Sequence, residues 1–457
     1  MLKACGIPLH SVLADVGWSD APLDRLDIED RGQLLPTSMP IAAAATAALG
    51  CVGLAALQLW ELSSGRRARA TIDTRAASLA MSSSDFLRVA GKGKNEKEIT
   101  GFYPVKSGGW VYLHGNFPHL RDGLLNLFKV ANDRAALAAA LLNWSRHDVE
   151  NMATERGMCA TGVRTRKEWQ AHPQATAIAQ LPLIEIRKLA DGPKRILKAG
   201  DAPLEGIRAL DLSRVIAGPM AGRALAEHGA TVMLVSAPHL PCIEDLVIDT
   251  GFGKFSSFIN LCDSEGRRQL EHLISDADVF IDAYRPGSLG RRGFAPADLA
   301  RMRPGIVSAT ISAYSRAGPW HLQRGYDSLV QAACGLAFLN PTPEPRRLPC
   351  QPLDYLTGYL TAFGIMVAMR RQALEGGSWH VELSLARTAA WLWEMNDMIG
   401  AVSNPPHVSP PRNDILDLLE NCCSPFGDLS YLRPALRLTS RPGIWSRPPV
   451  LLGSHPS

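Results

Sequence analysis

Apolar and polar positions change rhythm along the chain, and the rhythm predicts the elements. From Gly32 to Trp60 no residue is charged, and the run IAAAATAALGCVGLAALQL over 41–59 predicts one helix across about 40–62, left at Gly65. ARATIDT (68–74) and WVYLHG (110–115) read as strands, and amphipathic spacing predicts helices at 121–130 and 134–143. Residues 191–204 are polar, with Gly and Pro, and read as a linker. The opening thirty residues carry no clear period.

Beyond residue 204 short apolar runs alternate with helical stretches. IRALDL (207–212), TVMLV (231–235), ADVFIDA (277–283) and IVSATIS (306–312) suit buried parallel strands. Helices fall between them: after Gly218-Pro219, at 265–276 and at 295–302. This β-α-β rhythm predicts an α/β fold, a doubly wound parallel sheet of Rossmann-like type, accompanied by a smaller α+β domain. Helices at 326–338 and 354–372, then a strand at 379–385, follow; past 402 the chain is proline-rich and is expected to lie extended. The expected layout is a segment 1–34, a unit 35–190, the linker 191–204, a unit 205–400 and a tail 401–457. A faint echo joins the units: at an offset of 311, Thr46, Leu49, Gly53 and Gly65 match Thr357, Leu360, Gly364 and Gly376.

Composition narrows the function classes. The 457 residues are 46% hydrophobic and 20% charged, which suits a globular protein with ample core. A net charge of +4 gives no reason to expect nucleic acid or an anionic membrane as partner. Nine irregularly spaced cysteines form neither a disulfide framework nor a zinc pattern, and vicinal Cys422-Cys423 read as reduced thiols, so no metal is expected. The run at 41–59 is long enough to span a bilayer, yet it is mostly alanine and is broken by Thr46, Gly50, Gly53 and Gln58; a buried, closely packed helix is the favoured reading. MLKACGIPLH lacks the basic head and apolar run of a signal peptide, so a cytoplasmic location is expected.

Candidate chemistry sits in two places. No G-x-G-x-x-G follows Leu212, and no P-loop, G-x-S-x-G or H-E-x-x-H occurs. The first strand instead runs into SRVIAGPMAG, where Pro219 suits the first helical position. The free N–H groups around Val215, Ile216 and Ala217 would then suit an anion or oxyanion, or simply a tight turn. Asp354, opening an apolar helix after Pro352, is either an N-cap or a nucleophile. In the second case the helix N–H groups would hold it ionised while Leu353, Tyr355 and Leu356 exclude water. Arg285, Arg291, Arg292 and Arg324 are candidates for holding phosphates.

PLEGIRALDLSRVIAGPMAGRALAEHGATV, EGRRQLEHLISDADVFIDAYRPGSLGRRGF, ATISAYSRAGPW, RGYDSLVQAACGL and PLDYLTGYLTAFGIMVAM, in that order over about 204–392, resemble the family III CoA-transferases (the CaiB/BaiF family). The first half is similar to the back portion of the same family, RGMCATGVRTRKEWQAHPQATA (156–177) included, so the chain resembles a fused, duplicated member. The resemblance implies an enzyme that moves CoA from an acyl-CoA to a carboxylic acid, with CoA as substrate and no resident cofactor. It implies Asp354 as the nucleophile that forms a mixed anhydride and then an enzyme–CoA thioester. It implies CoA contacts at Val215, Ile216, Ala217, Arg291, Arg324 and Tyr326, the last with Asp327 in the family's G-Y-D. It also implies a homodimer or an intrachain pseudo-dimer. Ser236 departs from the family's usual glutamate and Ala283 from its asparagine, Ala43 stands at the echo of Asp354, and the glycine-rich active-site loop has no match. These departures keep open a catalytically silent, acyl-CoA-binding partner. Tyr326 stands where the racemase branch has histidine, which argues against racemisation.

Overall fold

Apolar runs without alternation become strands covered on both faces. The computed structural model describes residues 2–92, 99–339, 344–439 and 445–456. Its largest sheet has seven strands, in the order Lys254–Phe258, Thr231–Ser236, Arg208–Leu212, Val279–Asp282, Val307–Ser312, Ser378–Ser384 and Glu185–Ala190. The first six are parallel, and Glu185–Ala190 closes the edge antiparallel. After laying down the edge strand Glu185–Ala190, the chain starts the parallel part at Arg208–Leu212, builds two strands to one side, then crosses to the other. That order reverses between Arg208–Leu212 and Val279–Asp282, and ligands of open α/β sheets bind at the carboxyl ends flanking such a switch.

Two long helices form the centre of the molecule. Ile41–Ser64 and Pro352–Glu375 each span 24 residues and each stop at a left-handed glycine, Gly65 (φ 72°) and Gly376 (φ 73°). Positive φ costs glycine nothing, and its amide closes the last turn. Each helix is followed by a strand and then by a helix whose N-cap side chain, Asp73 or Ser384, accepts a backbone N–H. The counterparts start 311 residues apart (41 and 352, 65 and 376, 74 and 385), the offset of the faint sequence echo. The two helices pack against each other, and Leu2–Asp15 covers the first. Ile41–Ser64 is long and apolar enough to cross a membrane, but 94% of its apolar window is buried within the protein.

The halves exchange strands. Glu185–Ala190, from the first half, pairs with Ser378–Ser384 of the second. Leu436–Leu438, from the end of the chain, pairs antiparallel with Ala70–Asp73 of the first, whose other edge takes Leu26–Glu29 in parallel. The stretch beyond 402, expected to be extended, therefore does more: Leu419–Ser424 and Gly427–Leu432 form a hairpin that reaches Arg88–Val89. Cys422 and Cys423 lie in this hairpin. A separate small sheet, Gly101–Pro104, Trp110–Leu113 and Ala160–Gly162, is packed by helices Pro118–Phe128, Arg134–Leu141 and Arg146–Glu155 around Leu113, Leu124, Leu137 and Val149. This α+β piece abuts the carboxyl end of the large sheet.

Candidate active site

A cavity of about 740 Å³ opens at the switch point of the large sheet. Its wall includes Val215, Ile216 and Ala217 after the first strand, Ala283 and Arg285 after the fourth, and Asp354 from the second long helix. Val235 and Ser236, Arg324 and Tyr326, and Pro118 and His119 from the first half complete that part of the lining. Of the residues that the resemblance assigns to the nucleophile and the CoA contacts, Arg291 is not in the wall, and neither is Asp327 of the G-Y-D. Arg291 and Arg292 share one short turn, Gly290–Arg292, whose tight winding sends neighbouring side chains in different directions. Arg292 faces the cavity, whereas Arg291 lies beside Gly287 and near Arg285.

The turn after the first strand is strained. Val215 has φ +74°, a left-handed conformation that disfavours a β-branched side chain and costs on the order of 1–3 kcal/mol. The helix then runs Ala217–Glu227, so Pro219 is its third residue rather than its first. The consequence is the same, since the first four N–H groups of a helix lack intrahelical partners. Two buried anchors hold this turn. Lys254 Nζ donates to Asp211 Oδ2 (2.7 Å) and to the Pro219 carbonyl (2.6 Å), and Ser213 Oγ donates to Asp211. Gly358 lets the second long helix approach: a Cβ there would lie 2.7 Å from the Ala217 carbonyl and 2.6 Å from Met220 Cβ. The free amides and Asp354 are thereby brought to one wall.

Asp354 is not the N-cap. Gln351 is, with Pro352 in the first turn, so Asp354 is the third helical residue. Nor do the helix N–H groups hold Asp354 ionised, as expected for a nucleophile: the N–H groups of Leu353 (2.8 Å) and Asp354 (3.1 Å) donate to Asp327 Oδ2, while Gln331 Nε2 donates to Asp327 Oδ1. The donors are taken because Asp327 opens a neighbouring helix, Asp327–Ala333, aimed at this end. Asp354 is only 6% exposed. Burial, and then the charge of Asp327, push its carboxyl well above the usual carboxylate range. Burial also pushes Asp327 up, to about 6, but its three N–H donors oppose this and leave it the anionic member of the pair.

Asp327→Asn tests this division. The amide oxygen keeps an acceptor for the helix N–H groups and the charge disappears, so the ionisation of Asp354 is expected at lower pH. The –NH₂ then faces the Gln331 donor, at a cost of about 1–3 kcal/mol. The pH midpoint for carbodiimide labelling of Asp354, mapped by mass spectrometry, checks it; an unmoved midpoint contradicts it.

The rest of the wall is basic. Arg214, Arg285, Arg292 and Arg324 line it, and among the described residues none pairs with a carboxylate. Burial, together with Arg324 and Arg291, lowers Arg285; burial, with Arg324 and Arg214, lowers His119. Tyr326 stacks on His114 (4.0 Å between ring centroids), and burial raises its phenol. Arg214 covers the Phe117 ring at 5.2 Å and donates to the Pro241 carbonyl. Arg214 and His119 went unnoticed in the sequence. The first had a local signal only in its place inside S-R-V-I-A-G-P, at the turn after the strand; the second, distant in the chain, carries no local signal. One acid in a basic, half-apolar cavity, facing free amides, suits a large anionic ligand and acyl transfer at a carbonyl.

Residues 204–413, a little under half of the chain, match CoA-transferase family III. The chain is 33% identical over 232 residues to acetyl-coenzyme A transferase nodX of Hypoxylon pulicicidum, covering 49% of this chain and 36% of that protein. It is 30% identical over 205 residues to the probable fatty acyl-CoA transferase Rv3272 of Mycobacterium tuberculosis (42% and 52%). It is 31% identical over 180 residues to the succinyl-CoA:glutarate CoA-transferase of Homo sapiens (36% and 41%). The chain thus spans about a third to a half of the length of these relatives. Among solved structures, a crystal structure of Rv3272 from M. tuberculosis superposes with a TM-score of 0.41 at 29% identity, covering 43% of this chain and 58% of that one. A CAIB/BAIF family protein from Brucella suis gives 0.40 at 23% identity (50% and 65%).

Proposed function

We propose that the chain is an acyl-CoA:carboxylate CoA-transferase in which Asp354 is the covalent carrier. The observation that carries this reading is a buried carboxyl in the wall of the same basic cavity as the free amides of the Val215–Ala217 turn. The ionised Asp354 attacks the thioester carbonyl, the turn amides take the developing oxyanion, and CoA leaves as thiolate. The product is an acyl–aspartyl anhydride. The thiolate then attacks the aspartyl carbonyl and expels the acyl group as a carboxylate, leaving CoA on Asp354 as a thioester. An acceptor carboxylate attacks this thioester, and the same steps run in reverse order give the new acyl-CoA and free Asp354. CoA is the substrate, and the chemistry calls for no resident cofactor or metal. Arg285, Arg292 and Arg324 serve the phosphates of CoA, with Arg291 close behind. The two strand-exchanged halves serve as an intrachain pseudo-dimer in the cytoplasm.

Ser236, Ala283 and the raised Asp354 favour one alternative, a catalytically silent acyl-CoA-binding partner. One experiment separates the two readings. The chain is incubated with acyl-CoA donors and short dicarboxylates, bile acids or carnitine-type acids, then trapped with hydroxylamine or borohydride and digested. A modified Asp354 peptide is expected. CoA binding with neither exchange nor a modified peptide establishes the silent partner.

A further inference from the structure

The first turn of the second long helix carries Asp354 between Gln351 and Tyr355, and a turn from the first half grips both neighbours. The Gln351 N–H donates to the Met81 carbonyl (3.2 Å). The Tyr355 hydroxyl accepts from the Ser84 N–H (3.3 Å) and donates to Asp249 Oδ2 (3.1 Å). Ser83 Oγ donates to the same Asp249 oxygen (2.7 Å) and accepts from Arg223 (3.3 Å), whose guanidinium also meets Asp249 Oδ1 (3.4 Å). Ser83, Arg223, Asp249 and Tyr355 are all buried, and Arg223 is fixed further by the Trp445 ring at 4.4 Å. These residues come from four distant stretches of chain and converge on one turn of helix. None of them lines the cavity.

We propose that residues 81–84 of the first half act as a clamp on the second, with Ser83 and Tyr355 as positioning residues that set where Asp354 stands against the bound thioester. The inference rests on Asp354 being the covalent carrier. A buried hydrogen-bonded network is stiff, and losing one member leaves its partners unsatisfied. Gripping the residues before and after Asp354 fixes the direction of its side chain more tightly than helix packing alone. A displacement of about 1 Å at a reacting group costs on the order of 100-fold in rate. The first half then contributes to catalysis while holding no acid of its own at position 43.

The test uses the whole chain with Ser83→Ala, Tyr355→Phe and Ser83→Thr, and Tyr103→Phe as a distant control whose hydroxyl donates to Ile99 in another cluster. Single-turnover release of CoA from an acyl-CoA donor is expected to slow by about 10- to 100-fold in the first two variants. The donor KM should change far less than this rate, and Ser83→Thr, which keeps the hydroxyl, should recover most of the loss. Wild-type rates in Ser83→Ala and Tyr355→Phe, or rate and KM falling together in step with Tm, overturn the clamp while leaving Asp354 chemistry intact. A second readout stands apart from turnover: the pH midpoint of carbodiimide labelling at Asp354. Loosening the turn admits water and relieves the burial that raises this carboxyl, so the midpoint should fall in Tyr355→Phe and hold in Tyr103→Phe. If the wild type releases no CoA, the functional reading fails on its own, and a midpoint that does not move in Tyr355→Phe still overturns the clamp.

Discussion

Asp354→Asn should abolish CoA transfer, lowering kcat by at least about 10⁴-fold, and should leave no hydroxylamine-sensitive CoA on the protein. The substitution conserves shape and removes the carboxyl that, among the described lining residues, is the only one in the wall. Packing predicts that the variant folds: the carboxyl sits among buried neighbours, its charged form is disfavoured there, and a neutral amide relieves the repulsion from Asp327. Tm should therefore hold or rise while activity disappears, an opposition that a merely structural residue does not show. Acyl-CoA affinity, measured by equilibrium dialysis, should persist through the basic wall. Transfer at an undiminished rate by this variant would refute the aspartyl route and with it the functional reading.

Lys254→Met should be the most destabilising single change in the large sheet. Lys254 is 1% exposed and Asp211 is fully buried, and their ion pair lies under the strained Val215 turn. Removing only the cation strands a buried carboxylate, which costs about 3–5 kcal/mol, because the desolvation of Asp211 is no longer compensated. Urea unfolding monitored by circular dichroism checks this. The double variant Lys254→Met with Asp211→Leu should recover much of the loss, since two apolar groups leave no orphan charge. A single variant within about 1 kcal/mol of wild type would show that water or rearrangement neutralises Asp211. The Pro219 carbonyl also loses its donor, so the folded fraction should be slower in transfer, through a displaced turn.

Much of the large sheet was legible because its inner strands are short runs rich in apolar and β-branched residues: ALDL, VFID and VSATIS suit buried parallel strands. The edge strand KFSSF (254–258) was not, because its lysine is inward and paired and two of its five residues are serine. Glu185–Ala190, half polar, is a strand only because the second half offers it an edge. The long helices read clearly from length and apolarity, and the echo between them, four identities by eye, becomes firm only when helix ends and caps coincide. At the site, Asp354 and the Val215 turn were visible as motifs. The role of Asp327 was not, since an acid capping a helix that starts 25 residues later depends on tertiary approach. The same holds for His119 and Ser83: each acts on a wall or turn built by the other half, and no local pattern encodes that reach. Expecting the helix amides to serve Asp354 failed for a definite reason, which is competition by a second, better placed acid.

The reciprocal trade of edge strands has a topological consequence. A protease that nicks the irregular, mostly exposed stretch 191–203 would sever the backbone but free neither fragment. The amino-terminal fragment would still hold a place at the rim of the larger sheet, and the carboxyl-terminal fragment would still wrap back around its companion. Such fragments should co-migrate under native conditions and separate only when denatured, as two links of a clasp whose hinge is dispensable once it has closed.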